Sequence, residues 1–280
     1  MGVAVVTDST AYLPPGVADD YGVSEVPLHV VLGARTGTEG REVSPQDVAA
    51  ALSERRLQVS TSRPTPGEFA AVYRSLGVDC VVSVHLSAEL SGTWEAAVLA
   101  GQEVAAEGIE VRVVDSRLLA MGLGFCVLAA AKCAREGGDP EAVERAAVET
   151  AVRTDMLFYV DTLEHLRRGG RIGAAAALVG TALAVKPLLH VVDGRIAPLE
   201  KVRTASKALA RLEDLAVQRA AEGEVDVAVQ HLAAESKAVE LGVRLRERLP
   251  HVASLHVSEV GAVVGAHVGP GFLGVVVSRR

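Results

Sequence analysis

Hydrophobic positions in the first half of the chain fall into short apolar runs, at residues 2–6, 26–32, 80–84 and 111–114, separated by stretches with helical spacing. The runs read as strands and the intervals as helices. Two helix starts carry their own signals. Ser44-Pro45-Gln46-Asp47 offers an N-cap followed by proline at the first helical position, and Thr65-Pro66-Gly67-Glu68 is a capping box with the same proline. Asp139-Pro140 opens a third helix running toward Ala151. Strands alternating with helices imply βαβ units, so residues 1–150 are expected to form an α/β domain with a doubly wound, mostly parallel sheet.

After residue 150 the pattern changes. Apolar stretches at 188–192 and 195–202 flank Asp193-Gly194, a two-residue signal for a type I′ hairpin. Thr204 caps a long helix, followed by a strand at 225–230, a helix at 235–248, and strands near Leu255 and at 272–277. Residues 151–280 therefore read as an α+β domain with antiparallel sheet. The run from Ile172 to Val185, with alanine at 174–177, reads as a buried helix. It is shorter than the roughly 20 residues a bilayer span requires.

Composition narrows the function classes. Of the 280 residues, 49% are hydrophobic and 22% charged, a globular balance, and at about 150 residues per domain the length suits two. A formal charge of −7 with dispersed Lys and Arg argues against broad nucleic-acid binding. Cys80, Cys126 and Cys133 sit among apolar neighbours and form no metal-ligand spacing, so they read as buried thiols, and neither a metal nor a cofactor is expected. The N-terminus places Asp8 where a leader's apolar core would run, which predicts a cytoplasmic protein with no integral membrane segment. Aromatics at 3% leave few platforms for stacking a flavin, nicotinamide or base, and suit an aliphatic ligand better.

In an open parallel sheet the ligand crevice lies at the carboxyl ends of the strands. Four loops at those ends are rich in hydroxyls: Thr7-Asp8-Ser9-Thr10, Ser60-Thr61-Ser62, Ser87 through Ser91-Gly92-Thr93, and Asp115-Ser116. Any one of these is ordinary turn or cap chemistry. Together they predict an anion crevice. Ser91-Gly92-Thr93 precedes a helix whose unpaired N–H groups favour an anion, and Gly92 lets a ligand approach the backbone. The loops carry only two cations, Arg63 and Arg117, so a singly charged carboxylate fits better than a phosphate. The side chains of these four loops, Asp8, Ser9, Thr61, Ser62 and Ser91 among them, and the backbone at Gly92 are candidates to line that crevice.

These segments, with Leu90-Ser91-Gly92-Thr93-Trp94, Ser60 through Phe69, and Asp161-Thr162-Leu163-Glu164-His165-Leu166-Arg167-Arg168-Gly169-Gly170-Arg171-Ile172, resemble the DegV family nearly end to end. That family includes the fatty-acid-binding subunits of bacterial fatty acid kinase. The resemblance implies a long-chain fatty acid whose carboxylate is held at Thr61, Ser62 and Ser91, approached by His267, with the tail in a cleft between the domains. It further implies that Arg171 and Arg203 face the carboxyl end and a kinase partner, and that the chain itself is not catalytic. Two segments depart from the usual pattern: Arg63 stands where glutamine is commoner, and residues 84–89 (Val-His-Leu-Ser-Ala-Glu) replace a run richer in serine and glycine.

Rival readings were weighed on the same residues. A lone histidine such as His267 is more often structural than functional, while His85 follows a predicted strand and could also face the crevice. Arg167, Arg168 and Arg171 form either a solvated helix end or a docking site, and Gly169-Gly170 a helix terminus. Gly269-Pro270-Gly271-Phe272-Leu273-Gly274 matches GxGxxG literally, yet a strand follows it, so the dinucleotide fingerprint is not met. No P-loop occurs. The alternatives to a fatty acid carrier for a kinase are a lipid transporter or sensor without a kinase, and a serine-dependent lipid hydrolase in which Ser91, His267 and Asp8 converge.

Overall fold

The computed structural model describes residues 2–54, 58–178 and 186–280. The chain begins with β1 (Val3–Asp8), a 3-10 turn at Ser9–Ala11, α1 (Val17–Tyr21) and β2 (Val23–Val26). It then forms β3 (His29–Leu32), β4 (Arg35–Thr38), α2 (Pro45–Glu54) and β5 (Val59–Ser62). Next come α3 (Pro66–Ser75), β6 (Cys80–His85), α4 (Thr93–Ala105), β7 (Glu110–Asp115), α5 (Ala120–Arg135) and α6 (Pro140–Val152). After these run β8 (Thr154–Tyr159), α7 (Glu164–Arg168), a 3-10 stretch at Gly173–Leu178, β9 (Lys186–Val192), β10 (Arg195–Val202) and α8 (Ala205–Ala220). The chain closes with β11 (Val225–His231), α9 (Glu235–Arg248), β12 (Val252–Glu259), α10 (Ala262–Val268) and β13 (Leu273–Arg279).

Two compact units result. The first comprises Met1–His29 and Ser62–Val152, the second Val30–Thr61 and Arg153–Arg280. Residues 30–61, expected within the N-terminal domain, thus belong with the second unit. The reason is tertiary: the Glu39 carboxylate accepts the Val263 N–H at 2.7 Å, the Gln46 amide donates to Glu259 at 2.6 Å, and α2 lies against α10. None of these partners is near in sequence, so periodicity carried no trace of them.

In the first unit β2, β1, β6 and β7 form a four-stranded sheet, parallel throughout. Apolar alternation sends Val6 and Val81 toward α3 and α4, where they meet Phe69, Tyr73, Ala97 and Val104 in one cluster. Complete burial of Phe69 contributes roughly 1.5–3 kcal/mol. Helices α5 and α6 pack against β1, β6 and β7. The run expected as one strand at 26–32 is split into β2 and β3. Pro27 lies at the break, where its missing N–H interrupts a ladder.

The second unit contains a six-stranded sheet in the order β10-β9-β8-β13-β11-β12 and a three-stranded sheet in the order β4-β3-β5. Within the larger sheet β11 and β12 pair in parallel, joined by α9, and the other neighbours are antiparallel. The hairpin between β9 and β10 turns through Asp193 at φ 51° and Gly194 at φ 75°, the two left-handed residues of a type I′ turn. Of the helix expected over 172–185, Gly173–Leu178 is a 3-10 stretch in which Ala175 and Leu178 are buried but Ala174, Ala176 and Ala177 are exposed; the remainder lies outside the described residues. Among the described residues no helix is long and apolar enough to cross a membrane.

Candidate functional site

Strands β1, β6 and β7 end at Asp8, His85 and Asp115, so three of the hydroxyl-rich loops emerge from one edge of the first unit's sheet. Asp8 is fully buried. Its Oδ1 accepts the Thr10 N–H at 3.0 Å and the Thr10 hydroxyl at 2.5 Å, and its Oδ2 lies 3.0 Å from both His85 Nδ1 and the Leu86 N–H. All four neighbours can donate, which suits an ionised carboxylate that can only accept. Ser9 Oγ accepts the Leu28 N–H at 3.0 Å, and the Ser116 hydroxyl donates to the His85 carbonyl at 2.7 Å. Asp8 and Ser9 are thereby committed to protein partners and tie the loops to one another.

Ser91 and Gly92 stand where the sequence places them, immediately before α4. Ser91 Oγ lies 2.9 Å from Thr93 Oγ1 and accepts the Thr93 N–H at 3.3 Å, while its own N–H reaches the Ser87 carbonyl at 3.1 Å. The N-cap of α4 is Gly92, which has no side chain to cap the helix, so Ser91 Oγ serves the first N–H instead. Arg63 lies across Gly92: its guanidinium donates to the Gly92 carbonyl at 3.2 Å and to Glu95 at 2.6 Å, and a Cβ at Gly92 would collide with it. Ser60-Thr61-Ser62, expected as a fourth loop, is instead part of strand β5 in the three-stranded sheet, and Ser62 is exposed. Glu89, a group that would oppose an anion, is exposed to solvent.

The second unit joins two of the expected residues that are far apart in the chain. Thr61 Oγ1 lies 2.9 Å from His267 Nε2. Burial holds the His267 imidazole neutral, lowering its pKa to about 4, with the nearby positive charge of Arg171 acting in the same direction. Its Nδ1 is buried and has no hydrogen-bond partner among the described residues. Within the second unit His267 turns toward Thr61, and within the first Asp8 is engaged by His85.

The paired glycines of the 161–172 segment serve two different ends. Gly170 takes φ 72°, the left-handed conformation anticipated at a helix terminus. Gly169 has an ordinary φ of −73°, but a Cβ there would collide with His267 Nδ1. The contact is reciprocal, since a Cβ at Gly269 would collide with His165. This interlock of α7 and α10 was invisible in the sequence, where Gly169 reads as a second C-terminal glycine. The basic cluster beside it is partly neutralised. Arg167 and Arg168 both pair with Glu164 at 2.8 Å, and these contacts hold the Glu164 carboxyl down at about 2. Arg171 donates to the Gly169 carbonyl at 2.6 Å, and Arg203 is exposed. A surface cavity of about 660 Å³ adjoins α7, lined by Leu52, Ser53, Thr162, Glu164, His165 and Arg168.

The structure defines a two-unit α/β protein, with hydroxyl-rich loops at one end of the first unit's sheet and a threonine–histidine pair in the second. The DegV family profile matches residues 2–280, and the chain belongs to that family. A DegV domain-containing protein of Streptomyces coelicolor is 59% identical, with 99% of each chain covered. Among solved structures, a DegV family protein from Thermus thermophilus described as fatty acid binding superposes with a TM-score of 0.94 at 33% identity, covering 100% of both chains. DegV of Bacillus subtilis, described as a fatty acid binding protein, superposes with a TM-score of 0.92 at 36% identity, again over 100% of both.

Proposed function

We propose that this protein binds a long-chain fatty acid and presents its carboxylate to a partner fatty acid kinase for acyl-phosphate formation. The observation that carries the reading is the Thr61 hydroxyl held 2.9 Å from a neutral, half-buried His267 under the positive field of Arg171. Such a pair offers hydrogen bonds to a carboxylate without a second full charge to desolvate. Ser62 and Ser91 with the start of α4 are the further donors. Likeness over the full length to two proteins described as fatty acid binding supports the acyl tail. At about 0.8 kcal/mol per buried CH₂, a sixteen-carbon tail supplies roughly 10 kcal/mol before binding costs, so the polar contacts chiefly orient the ligand. Arg171 and Arg203 are the residues proposed to serve the carboxyl end and the kinase.

Mass spectrometry of organic extracts from the purified protein is expected to yield a long-chain fatty acid. Incubation with a fatty acid kinase and ATP is then expected to convert it to an acyl phosphate. Extraction of a nucleotide instead would defeat the first claim. Retention of the fatty acid without turnover by any such kinase would leave a carrier or sensor in place of a kinase subunit.

A further inference from the structure

His85 ends β6, and it is fully buried in the middle of a continuous polar chain. Tyr73 Oη lies 2.9 Å from Ser83 Oγ, Ser83 Oγ 2.7 Å from His85 Nε2, and His85 Nδ1 3.0 Å from Asp8 Oδ2. All four side chains are completely inaccessible. The order Ser83, His85, Asp8 imitates a hydrolytic triad, but a nucleophile with no exposed surface and a tyrosine hydroxyl on its oxygen has no place for a carbonyl.

The direction of each hydrogen bond follows from valence. Asp8 accepts only, so His85 Nδ1 donates to it. In the arrangement proposed here Nδ1 carries the ring's one proton, and Nε2 accepts the hydroxyl proton of Ser83. Ser83 Oγ in turn accepts from the Tyr73 hydroxyl, whose pKa burial pushes up. In this arrangement each of the three side-chain protons, on Tyr73, Ser83 and His85, is directed at the next member of the relay.

The two ends of the relay hold the two ligand segments of the first unit. Tyr73 stands on α3, which begins four residues after Ser62, and Phe69 of the same helix packs edge-on against the His85 ring at 4.9 Å. At the other end Asp8 takes the Leu86 N–H, the residue before Ser87, whose carbonyl receives the Ser91 N–H. We propose that Tyr73, Ser83, His85 and Asp8 form a buried strut that sets the placement of Ser91 relative to Ser62, with His85 as its positioning residue. The claim deepens the fatty acid reading and rests on it for its functional consequence.

The test uses the full chain and palmitate. Nitrogen-15 spectra of the imidazole are expected to show His85 protonated on Nδ1 and bare on Nε2; the opposite tautomer would overturn the relay. His85→Ala removes both bonds. It is expected to shift the amide resonances of Ser62, Ser91 and Gly92 and to weaken palmitate binding about ten-fold, the equivalent of about one hydrogen bond. His85→Asn keeps a donor at the Nδ1 position, and should restore those resonances and most of the affinity even where thermal stability stays low. Affinity that merely follows stability through both variants would reduce His85 to a packing residue and sink the proposal. Should His85→Ala not fold, His85→Asn against His85→Gln makes the same division, since glutamine reaches toward Ser83 but not Asp8. If the parent protein fails to bind palmitate, the fatty acid reading fails, while unmoved Ser62 and Ser91 resonances would separately refute the strut.

Discussion

Each unit packs a histidine next to a candidate ligand residue, and the two are treated in opposite ways. His85 in the first unit has both nitrogens engaged, one by Asp8 and one by Ser83. His267 in the second has Nε2 at Thr61 and a buried Nδ1 with no hydrogen-bond partner among the described residues. A fully satisfied buried polar network rigidifies its surroundings, whereas a half-satisfied one keeps an unspent capacity for hydrogen bonding. The contrast separates a ring locked at both nitrogens from one bonded at Nε2 and packed at Nδ1 against Gly169, although both look alike in sequence as single histidines in apolar surroundings.

Substitution at the scaffold end is expected to have the largest effect. Asp8→Ala strands the donors of Thr10, Leu86 and His85 inside the first unit, and at about 1–3 kcal/mol per buried unsatisfied group, less than additively, it should cost about 3–5 kcal/mol. Urea unfolding measures this, and a loss below 1 kcal/mol would mean that roughly the whole network relaxes without penalty.

The next effect belongs to His267 and depends on pH. Its folded pKa of about 4 lies below the ordinary 6.5, so between these values the unfolded chain binds a proton that the folded chain does not. Stability is therefore full above pH 6.5 and falls as the pH drops toward 4, by about 1.4 kcal/mol per pH unit. The difference in urea midpoints between parent and His267→Gln at pH 7 and pH 5 isolates this contribution from the other buried histidines. A flat difference would remove His267 from the buried neutral class. His85 supplies the comparison, since palmitate should change the His267 imidazole resonances and leave those of His85 in place.

Gly169→Ala forces a methyl group against His267 Nδ1 and should cost about 1–3 kcal/mol with a loss of palmitate affinity. Gly170→Ala strains only the backbone, at about 1–2 kcal/mol, and should leave the His267 resonances and the affinity in place. Equal effects of the two on affinity would show that the interlock with His267 is not what Gly169 provides. Smallest is Tyr73→Phe. It removes one donor but spares the bonds from Ser83 to His85 and from His85 to Asp8, so about 0.5–1.5 kcal/mol is expected, with the His85 tautomer unchanged by nitrogen-15 spectroscopy.

Local rules were sufficient wherever a residue acts on its own neighbours. The capping box at Thr65 forms as written, with Thr65 and Glu68 each serving the other's N–H, and Thr204 caps α8. Asp193-Gly194 turns the hairpin through two left-handed residues. Rules of this kind could not see that Pro27 divides a strand into members of different sheets, or that residues 30–61 pack with the second unit. His85 was noted only as a residue at a strand end. A fully buried strand with a histidine at its last position was the one available signal of the relay, and its partner Asp8 lies 77 residues away.

By itself the sequence determined the alternation of elements, the hydroxyl-rich loops at the strand ends and the family, because these depend on periodicity, turn chemistry and residue order within a few positions. Only the tertiary structure decided which of those polar groups are free to serve a ligand. Asp8 and Ser9 turn inward to protein donors, Thr61 meets His267 across 206 residues of chain, and Gly169 makes room for the ring. The physical reason is that a buried polar group takes whatever partner the packed fold brings within about 3 Å, and sequence distance does not enter that choice.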